Sequence, residues 1–274
     1  MSFSGKVKEE LLNNVSSSRH CQIAELAAFI SFLGIDDGTA LCVNCENEGL
    51  KRKYFTLLKK TFNINEACIG EDRNRVIEAT GASTVTQKSC CRRAYLRGAF
   101  LAAGSVNDPD KSYHLEIACQ SEAEADKILD LLGSFEIEGK QVIRKKYYVV
   151  YIKEGSQIVE TLNVIGAHLA LMDYENSRIL KEMRNSVNRR VNCETANIGK
   201  TVAASVKQVE DIRLIRESGV YRTLPKALKE MCDVRVAYPN VSLKELGEMM
   251  DPPVGKSGVN HRLRKLSEIA ESLR

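Results

Sequence analysis

Tryptophan is absent from this 274-residue chain and proline is scarce, with five in all. There are none of the proline-rich linkers of some multidomain proteins, and the scarcity fits a mainly helical polypeptide. No run approaches the 18 or so uncharged apolar residues of a membrane span, so a transmembrane helix is excluded. The stretch Met1 to Glu10 lacks the apolar run of a secretory signal, and the expectation is a cytoplasmic protein with no membrane partner. Neither sign of charge dominates: forty Lys and Arg stand against thirty-six Asp and Glu. That balance by itself demands no polyanionic partner. The apolar share of 43% is ample for a packed core and excludes wholesale disorder. Cysteine breaks the pattern of shortage, at nine. In a cytoplasmic chain these should mostly be reduced thiols, and their odd number argues against a complete disulfide framework.

Charge is unevenly spread. From Met1 to Ser177 the net charge is −3, from Arg178 to Ala204 it is +4, and from Ser205 to Arg274 it is +3. Positive charge thus gathers in the last third, where a polyanion partner is first sought. The predicted organisation is α+β. An α/β domain over residues 1–172 holds two repeat units, at about 21–80 and 91–170. A basic helical connector spans 173–204, and a helical domain spans 205–274.

The repeat is legible in small residues. The helical stretch Ile23 to Gly34 (IAELAAFISFLG) is echoed by Tyr95 to Gly104 (YLRGAFLAAG). A turn follows each, at Asp36-Asp37-Gly38 and at Asn107-Asp108-Pro109, and then a short alternating strand, Leu41 to Glu46 and Tyr113 to Cys119. An amphipathic helix comes next; Leu57-Leu58 matches Leu131-Leu132 at an offset of 74. The second copy continues into a strand ribbon, Gln141 to Lys153, rich in β-branched and aromatic residues. A helix near Ser156 to Ile165 closes it. The first copy is thinner: after Arg75-Val76-Ile77 it enters a polar stretch, Thr80 to Ser89, with no evident closing helix.

The sharpest local pattern lies at about 241–274. Ser242-Leu243-Lys244-Glu245 fits a capping box, in which serine and glutamate satisfy each other's free amides. Asp251-Pro252-Pro253-Val254-Gly255 breaks that short helix. A second helix starts at Ser257, with Val259, Leu263, Leu266, Ile269, Ala270 and Leu273 on one side. At 100° per residue the other side shows Ser257, Asn260, His261, Arg264 and Lys265 near its beginning. A short helix, a turn and a longer helix with a polar, basic start form a helix-turn-helix pattern, whose second helix enters the major groove N-terminal end first. Base-reading candidates are Ser257, Asn260, His261 and Arg264, since arginine and asparagine read guanine and adenine edges bidentately. Phosphate candidates are Lys244, Lys256, Arg262 and Lys265 in the hairpin, and Arg184, Arg189 and Arg190 in the connector. Further upstream, Val206, Val209, Ile212 and Ile215 recur as one apolar stripe. Thr223 before Leu224-Pro225 marks a helix start.

The helix from Tyr95 (YLRGAFLAAGSV) resembles the LAGLIDADG helix of homing endonucleases, which pairs with a pseudo-symmetric partner through small residues. Ala27-Ala28 and Gly98-Ala99 would permit such an approach. In those nucleases the penultimate motif position is an Asp or Glu holding the catalytic divalent metal; here the matching positions are Leu33 and Ala103. Neither offers an oxygen to a hard cation, so these are read as lost catalytic acid positions. The whole chain resembles the WhiA family of bacterial regulators, a degenerate LAGLIDADG-like domain followed by a helix-turn-helix. The resembling stretches are Cys90 to Leu101, Gly104 to Pro109, Asn188 to Asn197 and Lys256 to Arg264. The departure is the shortened first repeat. The resemblance implies a nucleoid-associated, promoter-binding transcription factor without nuclease activity, linked to cell division and chromosome segregation, and in some bacteria to sporulation. A sigma factor or another regulator is a candidate protein partner. Two rival readings stay open: an endonuclease using displaced acids such as Asp36, Asp37 or Asp108, and a cell-division scaffold with incidental DNA contacts.

Other constellations read as structural. Cys42-Val43-Asn44-Cys45 with Cys90-Cys91 has an outward likeness to a zinc set. Residues three apart in an alternating strand face opposite sides, however, so buried cysteines are favoured, with no metal and no cofactor. His20, His114, His168 and His261 show no context for Cys–His catalysis. Arg144-Lys145-Lys146 before Tyr147-Tyr148 reads either as a basic–aromatic strand for nucleic acid or as a solvated hairpin end. Arg92, Arg93 and Arg97 face the same choice.

Overall fold

The computed structural model of the chain describes residues 2–65, 68–81 and 83–274. The chain divides into two compact units, Met1–Met183 and Arg184–Arg274.

In the first unit two helices with almost no polar face form the centre: α2 (Arg19–Leu33) and α5 (Ser89–Ala103). Small residues set how closely they pack. A Cβ on Gly98 would lie 2.7 Å from the Glu25 carbonyl oxygen and 2.8 Å from the Ala28 Cβ, a separation no side chain tolerates. Each helix ends at a glycine, Gly34 or Gly104, that leads directly into a three-residue strand, β1 (Gly34–Asp36) or β4 (Gly104–Val106). The two helices and the strands that follow them are therefore related at an offset of 70. The offset becomes 74 at the next strand, because the second copy's turn is longer.

Each half then builds its own antiparallel sheet. In the first, β1 pairs with β2 (Leu41–Val43), which pairs with β3 (Cys68–Ile69). In the second, the order is β4, β5 (Leu115–Cys119), β7 (Tyr147–Ile152), β6 (Lys140–Arg144). Helices α3 (Glu48–Phe62) and α6 (Glu122–Gly133) start at side-chain caps, where Asn47 accepts from the Leu50 N–H and Ser121 from that of Glu124. Leu57 and Leu58 of the first, and Leu131 and Leu132 of the second, are buried as the repeat predicts. Strand β5 alternates buried and half-buried residues along its whole length, the signature of a sheet with one face on the core.

Three expectations need correction. The first half does have a closing helix, α4 (Arg73–Gly81), matching α7 (Gly155–Ile165) of the second. Thr80 belongs to α4, and Ser83–Thr86 form a 3₁₀ turn; Ala82, within the same polar stretch, lies outside the described residues. The deficit falls earlier, where one short strand among the described residues stands in place of the β6–β7 hairpin. Cys42 and Cys68 face each other across β2 and β3 and are joined as a disulfide, so Cys42 is not a plain buried thiol; seven cysteines are free.

Helix α1 (Phe3–Asn13) contributes Glu10, whose carboxylate accepts the Leu169 and Ala170 N–H groups, each at 2.9 Å. A negative group there satisfies free amides at the start of α8 (His168–Glu217). This is one 50-residue helix, longer than the predicted connector. Its segment in the second unit buries Ile212 and Ile215, while Val206 is exposed and Val209 half-buried, so the upstream end of that apolar stripe is not core. A 3₁₀ turn (Val220–Thr223) follows, and α9 (Lys226–Ala237) begins with Pro225 as its cap, two residues past the predicted cap at Thr223. No described helix is long and apolar enough to cross a membrane.

The first unit carries one costly feature. Glu25, Lys53 and Arg97 are buried together, with Lys53 Nζ 2.6 Å and Arg97 Nε 3.5 Å from Glu25 Oε1. Lys53 also donates to the Leu11 and Asn14 carbonyls. Burial pushes the Glu25 carboxyl up and the Lys53 ammonium down, while each partner pulls the other back toward its charged form. Such a cluster adds little net stability but punishes loss of one member. Glu25→Ala should therefore lower unfolding stability by about 3–5 kcal/mol in a urea titration of the whole chain. A change under about 1 kcal/mol would show that the two cations do not depend on this carboxylate.

Candidate nucleic-acid interface

The second unit builds the hairpin anticipated from its sequence, as α10 (Leu243–Glu248) and α11 (Lys256–Glu271). Both halves of the capping box are present. Ser242 N–H donates to Glu245 Oε2 at 2.8 Å, and Glu245 N–H donates to Ser242 Oγ at 3.4 Å. The Ser242 backbone amide holds the Glu245 carboxyl below the usual carboxylate range. The cap is therefore complete at neutral pH and weakens as acid titrates that group.

Between the helices the turn closes through Val254 N–H to the Gly247 carbonyl, 2.9 Å. Gly247 is buried, and a Cβ there would collide with the Val254 carbonyl oxygen. Leu246, Met250, Val259, Leu263, Leu266 and Ala270 pack with α8 and α9 into one core. That core fixes which side of α11 faces outward. Ser257, Asn260, His261 and Arg264 are all exposed, as are Lys256 and Lys265. No acid occurs on α11 before Glu268, which pairs with Arg264, Nε to Oε1 at 3.3 Å. Arg262 differs from expectation: it is half-buried, with Nη1 3.5 Å from Met250 Sδ.

A cleft beside the hairpin brings Lys244, Lys256 and Asn260 together with Lys200, Gln208 and Arg235, and no carboxylate lines it. Arg235 is buried, donates to the Val241 carbonyl at 3.0 Å, and is lowered from the usual arginine range by burial. Sequence reasoning missed Lys200 and Arg235. Lys200 was visible only as part of the basic segment, and Arg235 sits at an inward position of α9 that its residue type does not suggest.

The connector arginines are exposed but do not converge. Eleven residues separate Arg189 from Lys200, which places them within about 20° on one helix face. Arg184 lies about 160° away from Lys200 on the same count, and Arg190 about 80°.

The remaining basic candidates are structural. Arg92 donates to the Thr86 and Gln87 carbonyls, Arg93 lies over the Phe135 ring, and Arg97 faces Glu25. Arg144 pairs with Glu116 at 3.1 Å, and Lys145 and Lys146 form the tip of the β6–β7 hairpin. These contacts favour the solvated hairpin end.

At the nuclease-like positions, Leu33 ends α2 and Ala103 ends α5. The residues at these two positions do not fit a catalytic divalent metal, because neither side chain carries an oxygen. The displaced acids are engaged locally. Asp36 pairs with Arg73 through both carboxylate oxygens, at 2.7 and 2.6 Å. Asp37 accepts from Thr39 and Ala40, which hold its carboxyl down at about 2. Asp108 accepts the Asp110 N–H in a turn.

One histidine sits in a grouping that no sequence motif pointed to. His20 Nδ1 lies 3.2 Å from Cys91 Sγ and 3.3 Å from Cys21 Sγ. Burial, with the neighbouring thiols, raises Cys21 to about 12 and also raises Cys91. These are not the depressed thiols of a cysteine nucleophile.

Comparison with known proteins follows this division of the chain. The WhiA LAGLIDADG-like domain matches residues 92–184, and the WhiA C-terminal HTH domain matches residues 187–270. The chain is 48% identical to the probable cell division protein WhiA of Lachnoclostridium phytofermentans, over all of both chains. It is 43% identical to that of Alkaliphilus metalliredigens, over 99% of this chain and 98% of the other. The first alignment runs over 312 positions against 274 residues here, in keeping with a shortened chain. Among solved structures, full-length WhiA from Thermatoga maritima aligns over 99% of each chain with a TM-score of 0.63 and 26% identity.

Gly247→Ala tests the geometry of the hairpin turn. The added methyl should destabilise the Arg184–Arg274 unit by about 1–3 kcal/mol, read from the unfolding transitions of the whole chain. An unchanged transition would contradict the close contact with Val254.

Proposed function

The chain belongs to the WhiA family, and from that premise we propose that it is a sequence-specific, promoter-binding transcriptional regulator acting in cell division and chromosome segregation, and that it does not cut DNA. The observation that carries this reading is the outward face of α11, where Ser257, Asn260, His261 and Arg264 stand exposed above a fully apolar back. A helix presented in this way can lie in a major groove. Arg264 and Asn260 take the base-reading roles, with Ser257 and His261 beside them. The exposed ion pair of Arg264 with Glu268 is worth about 0.5 kcal/mol or less. A bidentate arginine–guanine contact is worth about 1–3 kcal/mol, so the pair does not hold the arginine back. Lys244, Lys256 and Lys265 contact phosphates on either side, and the cleft holding Lys200 extends their positive surface. Of the connector arginines, Arg189 shares a face with Lys200 and is assigned a phosphate; Arg184 and Arg190 are not. Absence of cleavage is supported by Leu33 and Ala103 and by the local engagement of Asp36, Asp37 and Asp108.

Selection of bound duplexes from a randomised pool in moderate salt tests the reading: a single enriched motif is expected, and an unenriched pool would favour a scaffold with incidental DNA contacts. Arg264→Ala should lose about 1–3 kcal/mol on the preferred site and little on other sequences. Equal weakening on all DNA would remove that side chain from base reading. Arg189→Ala should weaken binding to every sequence and flatten the salt dependence by about one phosphate contact. An unchanged salt slope would take α8 out of the interface.

A further inference from the structure

We propose that His20, Cys21, Cys90 and Cys91 form a tetrahedral site for one zinc ion that clamps together the amino-terminal ends of α2 and α5. The four donor atoms all lie within 4.8 Å of one another. From His20 Nδ1 the sulfurs of Cys91, Cys21 and Cys90 are at 3.2, 3.3 and 4.0 Å. A tetrahedral zinc with its ordinary bond lengths to sulfur and nitrogen sets each nitrogen–sulfur edge at about 3.6 Å. The observed separations bracket that value, and the full spread of 4.8 Å stands against a sulfur–sulfur edge of about 3.8 Å, so an ion enters with sulfur shifts of up to about an ångström.

The donors themselves select the ion. Three thiols and an imidazole suit zinc, whereas calcium and magnesium require oxygen ligands. The three sulfurs are unbridged, in contrast to Cys42 and Cys68. Cys21 and Cys91 are buried and could be explained by packing alone, but His20 and Cys90 are exposed and still turn toward the same point. Their exposure leaves a path from solvent to the site. Three thiolates around zinc carry a net charge of −1. The ligands all sit in the first turns of α2 and α5, where the helix dipoles favour negative charge.

The repeat explains why the site closes. At the offset of 70 that relates Gly34 to Gly104, His20 corresponds to Cys90 and Cys21 to Cys91. Each copy of the helix thus supplies an adjacent pair of ligands from its first turn, and the crossing of the two helices brings the pairs together. Neither pair has a zinc-like spacing in its own segment, which is why the sequence alone points to no metal. The site belongs to the first unit and α11 to the second, so the proposal stands or falls independently of the DNA reading.

The test uses the full chain, purified under reductant without chelator and assayed for zinc by elemental analysis. About one zinc per chain is expected after desalting. The metal-free protein titrated with cobalt should develop thiolate-to-cobalt charge-transfer bands and the strong visible bands of tetrahedral coordination. His20→Asn and Cys90→Ser alter exposed positions. Each should leave the circular dichroism and melting of the metal-free protein unchanged while lowering zinc affinity at least about tenfold. Added zinc should raise the melting temperature of the unaltered chain much more than that of either variant. Cys193→Ser, an exposed thiol on α8, should bind zinc like the unaltered chain. Absence of bound zinc together with absence of charge-transfer bands would overturn the proposal. So would undiminished affinity in both variants, or a Cys21–Cys91 disulfide found by peptide mapping of the purified chain alkylated and digested without reductant.

Discussion

The first unit depends on how closely two helices can approach. Gly98 packs against the Glu25 carbonyl and Ala28, where any side chain would push α5 away from α2. Everything else in the unit is placed from that crossing. Both sheets start at the glycines that end these helices, and the buried Glu25 carboxylate meets Lys53 and Arg97 beside the contact. Ion clusters of this kind seldom raise net stability, because desolvation of the charges offsets their attraction. An altered helix register here would leave a buried charge without its partner. Small residues and a buried carboxylate together thus allow the close approach and fix its register.

The same arrangement bears on chemistry. In a paired-helix nuclease the crossing aims two carboxylates from the helix ends at one metal region. Here the helix ends carry Leu33 and Ala103, and the nearby acids serve turns and ion pairs. What persists is a scaffold whose two halves build separate sheets, the first reduced to three short strands among the described residues. Readable polar chemistry lies instead in the other unit, on a helix held rigid by a capping box, a glycine turn and a continuous apolar back.

Much of this was legible in the sequence because its causes are local. The repeated small-residue helix, the matched Leu57-Leu58 and Leu131-Leu132 pairs and the capping box at Ser242 each lie within a few residues. The outward face of α11 followed from helical periodicity alone. What escaped notice depends on separated residues. The Cys42–Cys68 bridge requires the pairing of β2 with β3. Gathering His20 with Cys90 and Cys91 requires the crossing of helices seventy residues apart. Helix α4 was hidden by a polar sequence with little apolar periodicity, in which only Val76 and Thr80 are buried. The inward position of Arg235, and the cleft it shares with Lys200, come from packing that no short window encodes.

We propose that a cutting architecture has become a holding one. It is tested most directly by incubating repurified protein with supercoiled plasmid and excess magnesium or manganese, then separating the plasmid topoisomers. The account predicts retarded but uncut plasmid at every protein concentration. Nicked or linear product that tracks the protein through purification and disappears with chelator would contradict it.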